Sequence, residues 1–426
     1  MNKYYILAVL ISFVASLKLR ILTQGVVSSS RRLMAATLIA SGALAWFFLI
    51  SVYLVNILTI IAPSPFWALT GQVLFVATGI LSAILGGLVS QKIDRRKFLW
   101  SWIGLGVIST ALLALCQGIV FSVVVSILLG LSLGLGLPSS LAFLADLTVI
   151  EERGRIAGSS ILVTFIMAFL AMTIASILNS TLLVIVLLLI AIRSTSFFAL
   201  VLEKTETTKT ENETRLPKPD YKELSFYLFP WIMFVIASIV ASNLIPSAEE
   251  FQWAITLGNL LRYAFIALFG FAWGVVADRN GRKQPVIIGL VLLGISFGLL
   301  GVSMEPISVF VYLALSGVAW ASFLTIYLVI PGDLAIPYYR EKSYALGTIS
   351  PLIIMFSLVL LLSAAPPISS FSVSQILMII IFLSIIPVWR AEETLPESKI
   401  RKRRMKERLE KLGKLIEESE KTNNQK

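Results

Sequence analysis

The sequence predicts an all-α membrane protein of twelve transmembrane helices in two six-helix bundles, and three observations carry that expectation. Of 426 residues, 57% are hydrophobic and only 14% charged, with a mean hydropathy of +0.90, which makes water an implausible solvent for the folded chain. Uncharged or nearly uncharged runs recur along it, and the chain repeats itself with an offset of 187 residues. One crossing uses about 20 apolar residues, so twelve use about 240, close to the hydrophobic total.

The first six runs lie at residues 33–61, 66–89, 98–115, 119–147, 156–178 and 182–202. A polar stretch at 203–225 has the low hydrophobicity of an exposed linker. Six more runs follow at 226–245, 253–277, 286–302, 307–330, 344–364 and 371–389. The chain thus divides into an apolar segment at 1–30, a first bundle at 31–202, the linker at 203–225, a second bundle at 226–390 and a basic tail at 391–426. The segment at 4–17 is short for a crossing, and if it spanned the membrane Arg31 and Arg32 would change sides and invert every later span. It reads as an interfacial segment or as a start site placed too early. Pro138 falls inside the fourth run and Pro331 just after the tenth, as bends used in rocking or as tolerated kinks.

Charge placement orients the spans, because Lys and Arg are retained on the cytoplasmic side. Of 35 Lys and Arg, five precede the first span, two lie within spans (Arg193 and Arg262), and 28 fall in the even-numbered connections, the linker or the tail. The other connections carry only Glu249, Glu250 and Glu305. Both ends of the twelve-span core are therefore expected in the cytoplasm, and the net charge of +11 reports topology rather than affinity for nucleic acid. The absence of histidine removes imidazole chemistry and His-ligated metals, and the single Cys116 permits neither an internal disulfide nor a thiolate cluster. No cofactor or metal is expected, and no cluster of nucleophiles or carboxylates points to an enzyme.

The repeat shows best at polar and glycine positions. Asn56 matches Asn243, Gly71 matches Gly258, Gln72 matches Asn259, Gly87 matches Gly274 and Arg95 matches Arg282. Farther on, Gly130 matches Gly317, Asp146 matches Asp333, Arg153 matches Arg340 and Arg155 matches Lys342. Two like-oriented six-helix halves are what a transporter of parallel repeats requires, with a solute site near the midplane between them.

After the eighth span the chain reads Gly274, Val275, Val276, Ala277, Asp278, Arg279, Asn280, Gly281, Arg282, Lys283, and the stretch after the second span, residues 87–97, is its relative. Gly281 permits a tight turn, Arg282 and Lys283 anchor at the cytoplasmic face, and Asp278 suits a helix N-terminus. This loop resembles the GxxxDRxGRK signature of major facilitator superfamily transporters. The resemblance extends to Asp146 with Glu151–Arg155, and to Glu393, Thr394, Leu395 and Pro396 after the last span. It implies the two-bundle fold of that superfamily and a cytoplasmic latch between the halves. The latch set is Gly274, Asp278, Arg279, Gly281, Arg282, Gln91, Arg95, Asp146, Asp333, Arg153 and Arg340. Asp278 is expected near Gly158 and Ser159 on the fifth span, Asp333 beside Arg282, and Asp146 beside Arg95. Because Gln91 stands where the motif has aspartate, and Asp94 where it has the turn glycine, the C-terminal latch is expected to dominate. The alternative is a loop that only orients helices during insertion.

Charges inside a membrane are costly, so Arg262 and Arg193 are candidates for function. Arg262 lies 16 residues before Asp278, about 24 Å up the helix, in the outer half. With Asn259 three positions earlier and Gln72 across the repeat, it suits an anionic or hydrogen-bonding solute in the outer cavity; alternatively it pairs with Glu249 or Glu250 in an outer gate. Arg193 is expected to snorkel inward or to make an interhelical contact. Trp46 and Trp320, near the centres of the first and tenth spans, either stack on the solute or pack. No Asp or Glu occupies the centre of a span, so proton coupling lacks an obvious carrier, and the fifth span lacks the glycine-proline pattern of many drug-proton antiporters.

The function these features point to is a secondary transporter of a small solute, with an organic anion favoured. Efflux of amphipathic drugs and a transporter-like sensor signalling through its tail are the alternatives. The expected setting is the plasma membrane, as a monomer, with the basic amphipathic tail against the anionic inner leaflet.

Overall fold

The computed structural model describes residues 29–62, 64–90, 93–115, 117–203, 221–245, 248–363 and 370–396. The N-terminal segment, Gln91, Cys116, most of the linker and the basic tail lie outside the described residues. Every regular element among the described residues is helical, and eleven spans are long and apolar enough to cross a membrane. A further helix, Arg340–Ser363, fills the eleventh position in the order and makes twelve.

The first half comprises Ser30–Ile61, Pro65–Val89, Arg95–Leu115, a fourth span in two pieces (Ile119–Gly134 and Leu137–Leu147), Arg153–Ile177 and Leu182–Leu202. The second comprises Tyr221–Ser242, Gln252–Asn280, Lys283–Val302, a tenth span in two pieces (Pro306–Tyr327 and Ile330–Leu334), Arg340–Ser363 and Ser370–Leu383 continued by Ile385–Arg390. The seventh helix begins inside the stretch read from sequence as linker. Glu223 in its first turn favours the helix dipole and accepts the Glu392 amide at 2.8 Å, so polar residues are helical there.

Both prolines singled out in the sequence sit in the first turn of the short piece that completes their span, where a missing N–H costs nothing. The carbonyls freed at each break find side-chain donors. Trp102 Nε1 donates to Ser132 O at 2.6 Å in the first half, and Tyr344 Oη donates to Leu328 O at 2.8 Å in the second.

Each half has its own apolar core, one around Trp46, Leu49 and Trp102, the other around Phe234, Phe297 and Phe323. The halves meet along two repeat-related crossings, the fifth span on the eighth and the second on the eleventh. Small residues set the approach. A Cβ on Gly158 would lie 2.5 Å from Gly270 O, and one on Gly87 would lie 3.2 Å from Ala345 Cβ.

Arg193 does not snorkel. It is 0% exposed, with its guanidinium 3.8 Å from the Trp102 ring centroid and 5.1 Å from that of Trp46, and Nη2 donates to Trp102 O at 3.5 Å. Trp46, 1% exposed, donates its indole N–H to Thr110 at 3.0 Å and belongs to this interior packing, which corrects the reading of it as a solute platform. No carboxylate pairs with Arg193 among the described residues, so two indole faces hold the cation. Arg193→Met, an apolar chain of similar length, is expected to leave stability equal or raise it by about 1–4 kcal/mol. Arg193→Ala is expected to lose about 2–5 kcal/mol through the cavity it leaves. Thermal melts in detergent separate the two, and a large loss in the Met variant would show that the charge itself is required.

Candidate functional site

The motif loop between the eighth and ninth spans closes around Gly281, whose φ of +110° is a backbone state that side chains rarely adopt. The Glu393 carboxylate occupies the concave side of that turn, accepting Arg282 N at 2.7 Å and Lys283 N at 3.2 Å. A carboxylate thus caps the start of the ninth span, the end of a helix that attracts an anion. Lys283 Nζ reaches back to Ala391 O at 2.7 Å, tying the loop to the end of the last span.

Asp278 is 1% exposed and fully engaged. Its Oδ1 accepts Gly154 N at 2.9 Å and Arg282 Nη1 at 2.7 Å, and its Oδ2 accepts Arg155 N at 2.9 Å and Arg155 Nε at 3.2 Å. The contact lies one turn before the expected Gly158 and Ser159, because the free amides are those of the first turn, and the fifth helix begins at Arg153. Gly158 serves instead to let the fifth and eighth spans touch.

Arg282, 0% exposed, bridges Asp278 and Asp333, with Nε to Asp333 Oδ2 at 3.0 Å, and donates Nη2 to Ile150 O at 2.6 Å. Burial alone would lower its pKa, but the charges of Asp333 and Asp278 outweigh that and hold it above the usual arginine range. Asp333 also accepts Arg153 from the other half. The repeat reproduces the arrangement on its own side: Arg95 pairs with Asp146, and Asp146 accepts Arg340 from the opposite half. Each aspartate therefore joins an arginine of its own half to one of the other. Arg279 is outside this network. It is exposed and has no ion pair among the described residues, since it follows Asp278 by one residue and points to another side of the helix.

Sequence reasoning missed Glu341. Its carboxylate is 3% exposed and accepts Arg95 Nε at 2.8 Å and Ser139 Oγ at 3.2 Å. In the repeat, Glu341 corresponds to Gly154 and Gln91 to Asp278. The first half has no acid at the motif-loop position that matches Asp278, and the second half supplies one from across the interface. Arg95 thus lies between two carboxylates, as Arg282 does, so the first-half site has an acid that the expectation of a dominant C-terminal latch left out. The missed signal was an extra acid at the position that matches Gly154.

Toward the end opposite this network lies a cavity of about 290 Å³ lined by Ser242, Ile245, Gln252, Ile255, Asn259, Arg262, Tyr312 and Leu313. Arg262 and Asn259 share it, as their spacing implies. Gly317 lets the tenth span rest on the backbone of Arg262, with a Cβ there only 2.6 Å from Arg262 O. Arg262 is half-buried, its Nε is buried without a partner, and its guanidinium stands 5.7 Å from the Trp320 ring. Among the described residues no carboxylate pairs with it, so the expected alternative of a Glu249 or Glu250 partner is not what the structure shows. Trp320 packs edge-on against Trp231 and Phe234 while its indole nitrogen is unpaired. Gln72, on the second span, is not among the cavity-lining residues.

Solved structures share this architecture over most of its length. A bacterial homologue of the iron transporter ferroportin, in an outward-facing state, superposes with a TM-score of 0.67 at 15% identity, covering 85% of this chain and 98% of that one. The fold is that of the major facilitator superfamily. The human organic anion transporter MFSD10 (TETRAN) gives a TM-score of 0.68 at 15% identity over 84% of this chain and 99% of that one. A double tryptophan mutant of XylE gives 0.60 at 16% identity, covering 85% and 95%. No family model and no curated protein matches the sequence.

The crossed network makes a specific demand. Glu341→Gln and Asp278→Asn are expected to loosen the closed basic end to a similar degree, because each leaves a buried arginine with one carboxylate instead of two. Losing one partner of a buried pair costs about 3–5 kcal/mol. Disulfide trapping across the two span crossings in detergent or liposomes reads the closed population, and an effect confined to Asp278→Asn would contradict the two-sided arrangement.

Proposed function

We propose that the chain is a secondary membrane transporter that moves a small organic anion by alternating access, as a monomer in the plasma membrane with its basic ends in the cytoplasm. The observation that carries this reading is Arg262, a cation within a span, without a carboxylate partner among the described residues, in the wall of a cavity. Intramembrane charge is retained where it is used. Around it stand neutral hydrogen-bonding groups on Asn259, Gln252, Ser242 and Tyr312, and apolar walls from Ile245, Ile255 and Leu313. One cation, several neutral polar groups and an apolar surface match an anion with an organic body. The likeness in fold to a protein described as an organic anion transporter supports the same class.

The ion network closes the basic end while the cavity lies toward the other, an arrangement that supports a carrier open to the outside. Retention of Lys and Arg in the cytoplasm supports that orientation. Release on the inner side then requires the crossed ion pairs to part and the halves to rock about the glycine crossings.

Uptake into proteoliposomes across a panel of benzoate, p-aminohippurate, phenyl phosphate, glucose and tetraphenylphosphonium tests the reading. Transport is expected for members of the anionic group. Arg262→Gln is expected to weaken binding of the transported anion by about 2–5 kcal/mol, and Asn259→Ala by about 1 kcal/mol. Uptake of only the neutral or cationic probes, unchanged by Arg262→Gln, would sink it.

A further inference from the structure

We infer that the carrier is an exchanger, returning across the membrane only with an anion in the Arg262 cavity. The inference rests on the reading of Arg262 as the solute-binding cation and adds the mode of coupling.

The first support is the lack of an internal counter-charge. The side chains beside Arg262 in the cavity are neutral, and its Nε is buried and unpartnered. Among the described residues no carboxylate pairs with it, Glu249 and Glu250 included. Asp146, Asp278, Asp333 and Glu341 are all tied to arginines at the basic end. Asp278 is 16 residues down the same helix, about 24 Å away. A carboxylate beside the cation would let an empty carrier close with its charge balanced; here closure over an empty cavity dehydrates a bare guanidinium.

The second support is the unequal pair of gates. Four ion pairs join the halves at the basic end: Arg95 with Glu341, Arg340 with Asp146, Arg153 with Asp333 and Arg155 with Asp278. The opposite connections contain no Lys or Arg, only Glu249, Glu250 and Glu305, so those connections hold no counterpart of the four pairs. An empty carrier that opens inward gives up the four pairs for no equivalent set and carries Arg262 through closure without a bound counter-ion. A bound anion removes the last of these costs on both legs of the cycle.

Tyr263, the residue after Arg262, marks where closure and binding meet. Its ring centroid is 5.3 Å from that of Phe48 and 6.2 Å from that of Phe165, so the halves already touch beside the cavity-lining cation. Passage of solute requires these rings to part next to Arg262, at the moment when its charge must be satisfied.

Two measurements test the proposal. Proteoliposomes are loaded either with unlabelled p-aminohippurate or with dextran sulfate as sole internal anion, and labelled p-aminohippurate is supplied outside. Exchange predicts uptake about a hundredfold faster into the first set, and equal uptake into both overturns it while leaving the anion site intact. Spin labels on Lys97→Cys and Gln284→Cys in a Cys116→Ser background then report the basic end without any choice of substrate. In the absence of small anions the chain with native Arg262 is expected in one closed population, and adding Arg262→Gln to bring out a second, longer distance. An equally large open population with native Arg262 overturns the proposal. Absence of saturable binding of p-aminohippurate, benzoate and phenyl phosphate to the purified protein overturns the anion site itself, and the exchange mode with it.

Discussion

The fifth and eighth spans cross with almost nothing between them, and the rest of the basic end follows from that contact. Gly154 and Gly158 face Gly270 and Gly274, so backbone lies on backbone and Asp278 reaches the first-turn amides of the neighbouring helix. A buried carboxylate is tolerable there because two N–H groups, a helix dipole and two guanidinium groups share the charge. Arg282 is buried because Asp278 and Asp333 flank it, and Asp333 draws Arg153 across the interface. Desolvation makes each ion dependent on the others, so closure of this end is cooperative: remove one member and the remaining charges are left underpaired in a dry site.

Duplication would by itself give two identical latches, and the chain has kept the electrostatics while moving one acid. The arginine between two carboxylates occurs twice, at Arg282 and at Arg95, yet the second acid comes from four residues earlier in the same half in one case and from the opposite half in the other. What the interface requires is charge within reach of the guanidinium, and more than one backbone position supplies it. The solute end follows another course. Arg262 corresponds to Phe75 and Trp320 to Leu133, so polarity has been introduced into one half only. A symmetric ion network and an asymmetric cavity are compatible because the network belongs to the interface between the halves, whereas the cavity is lined by the second half alone.

Much of this was legible in the residues. Hydropathy gave the spans, since a helix is the only segment that satisfies its own backbone in lipid, and the 187-residue offset gave two halves. The pairings of Arg95 with Asp146 and of Arg282 with Asp333 followed from the repeat and the loop motif. Glu341 was invisible because an acid between Arg340 and Lys342 in a basic connection resembles any solvated charge until a neighbouring half is folded against it. Trp46 and Arg193 illustrate the same limit: a tryptophan and an arginine in mid-span suit a solute site as well as an interior stack, and only the packing of the third span against both decides.

The sequence by itself determined the all-helical membrane fold, the two-fold repeat and the gathering of Lys and Arg in alternate connections, because these depend on composition and order along the chain. The tertiary structure decided which charges meet. It placed Asp278 on Gly154 and Arg155, left Arg279 in the open, gave Arg95 its second acid and, among the described residues, left Arg262 without one. Ion pairing acts over a few ångströms between residues up to 246 positions apart, and that proximity exists only once the halves have closed on each other.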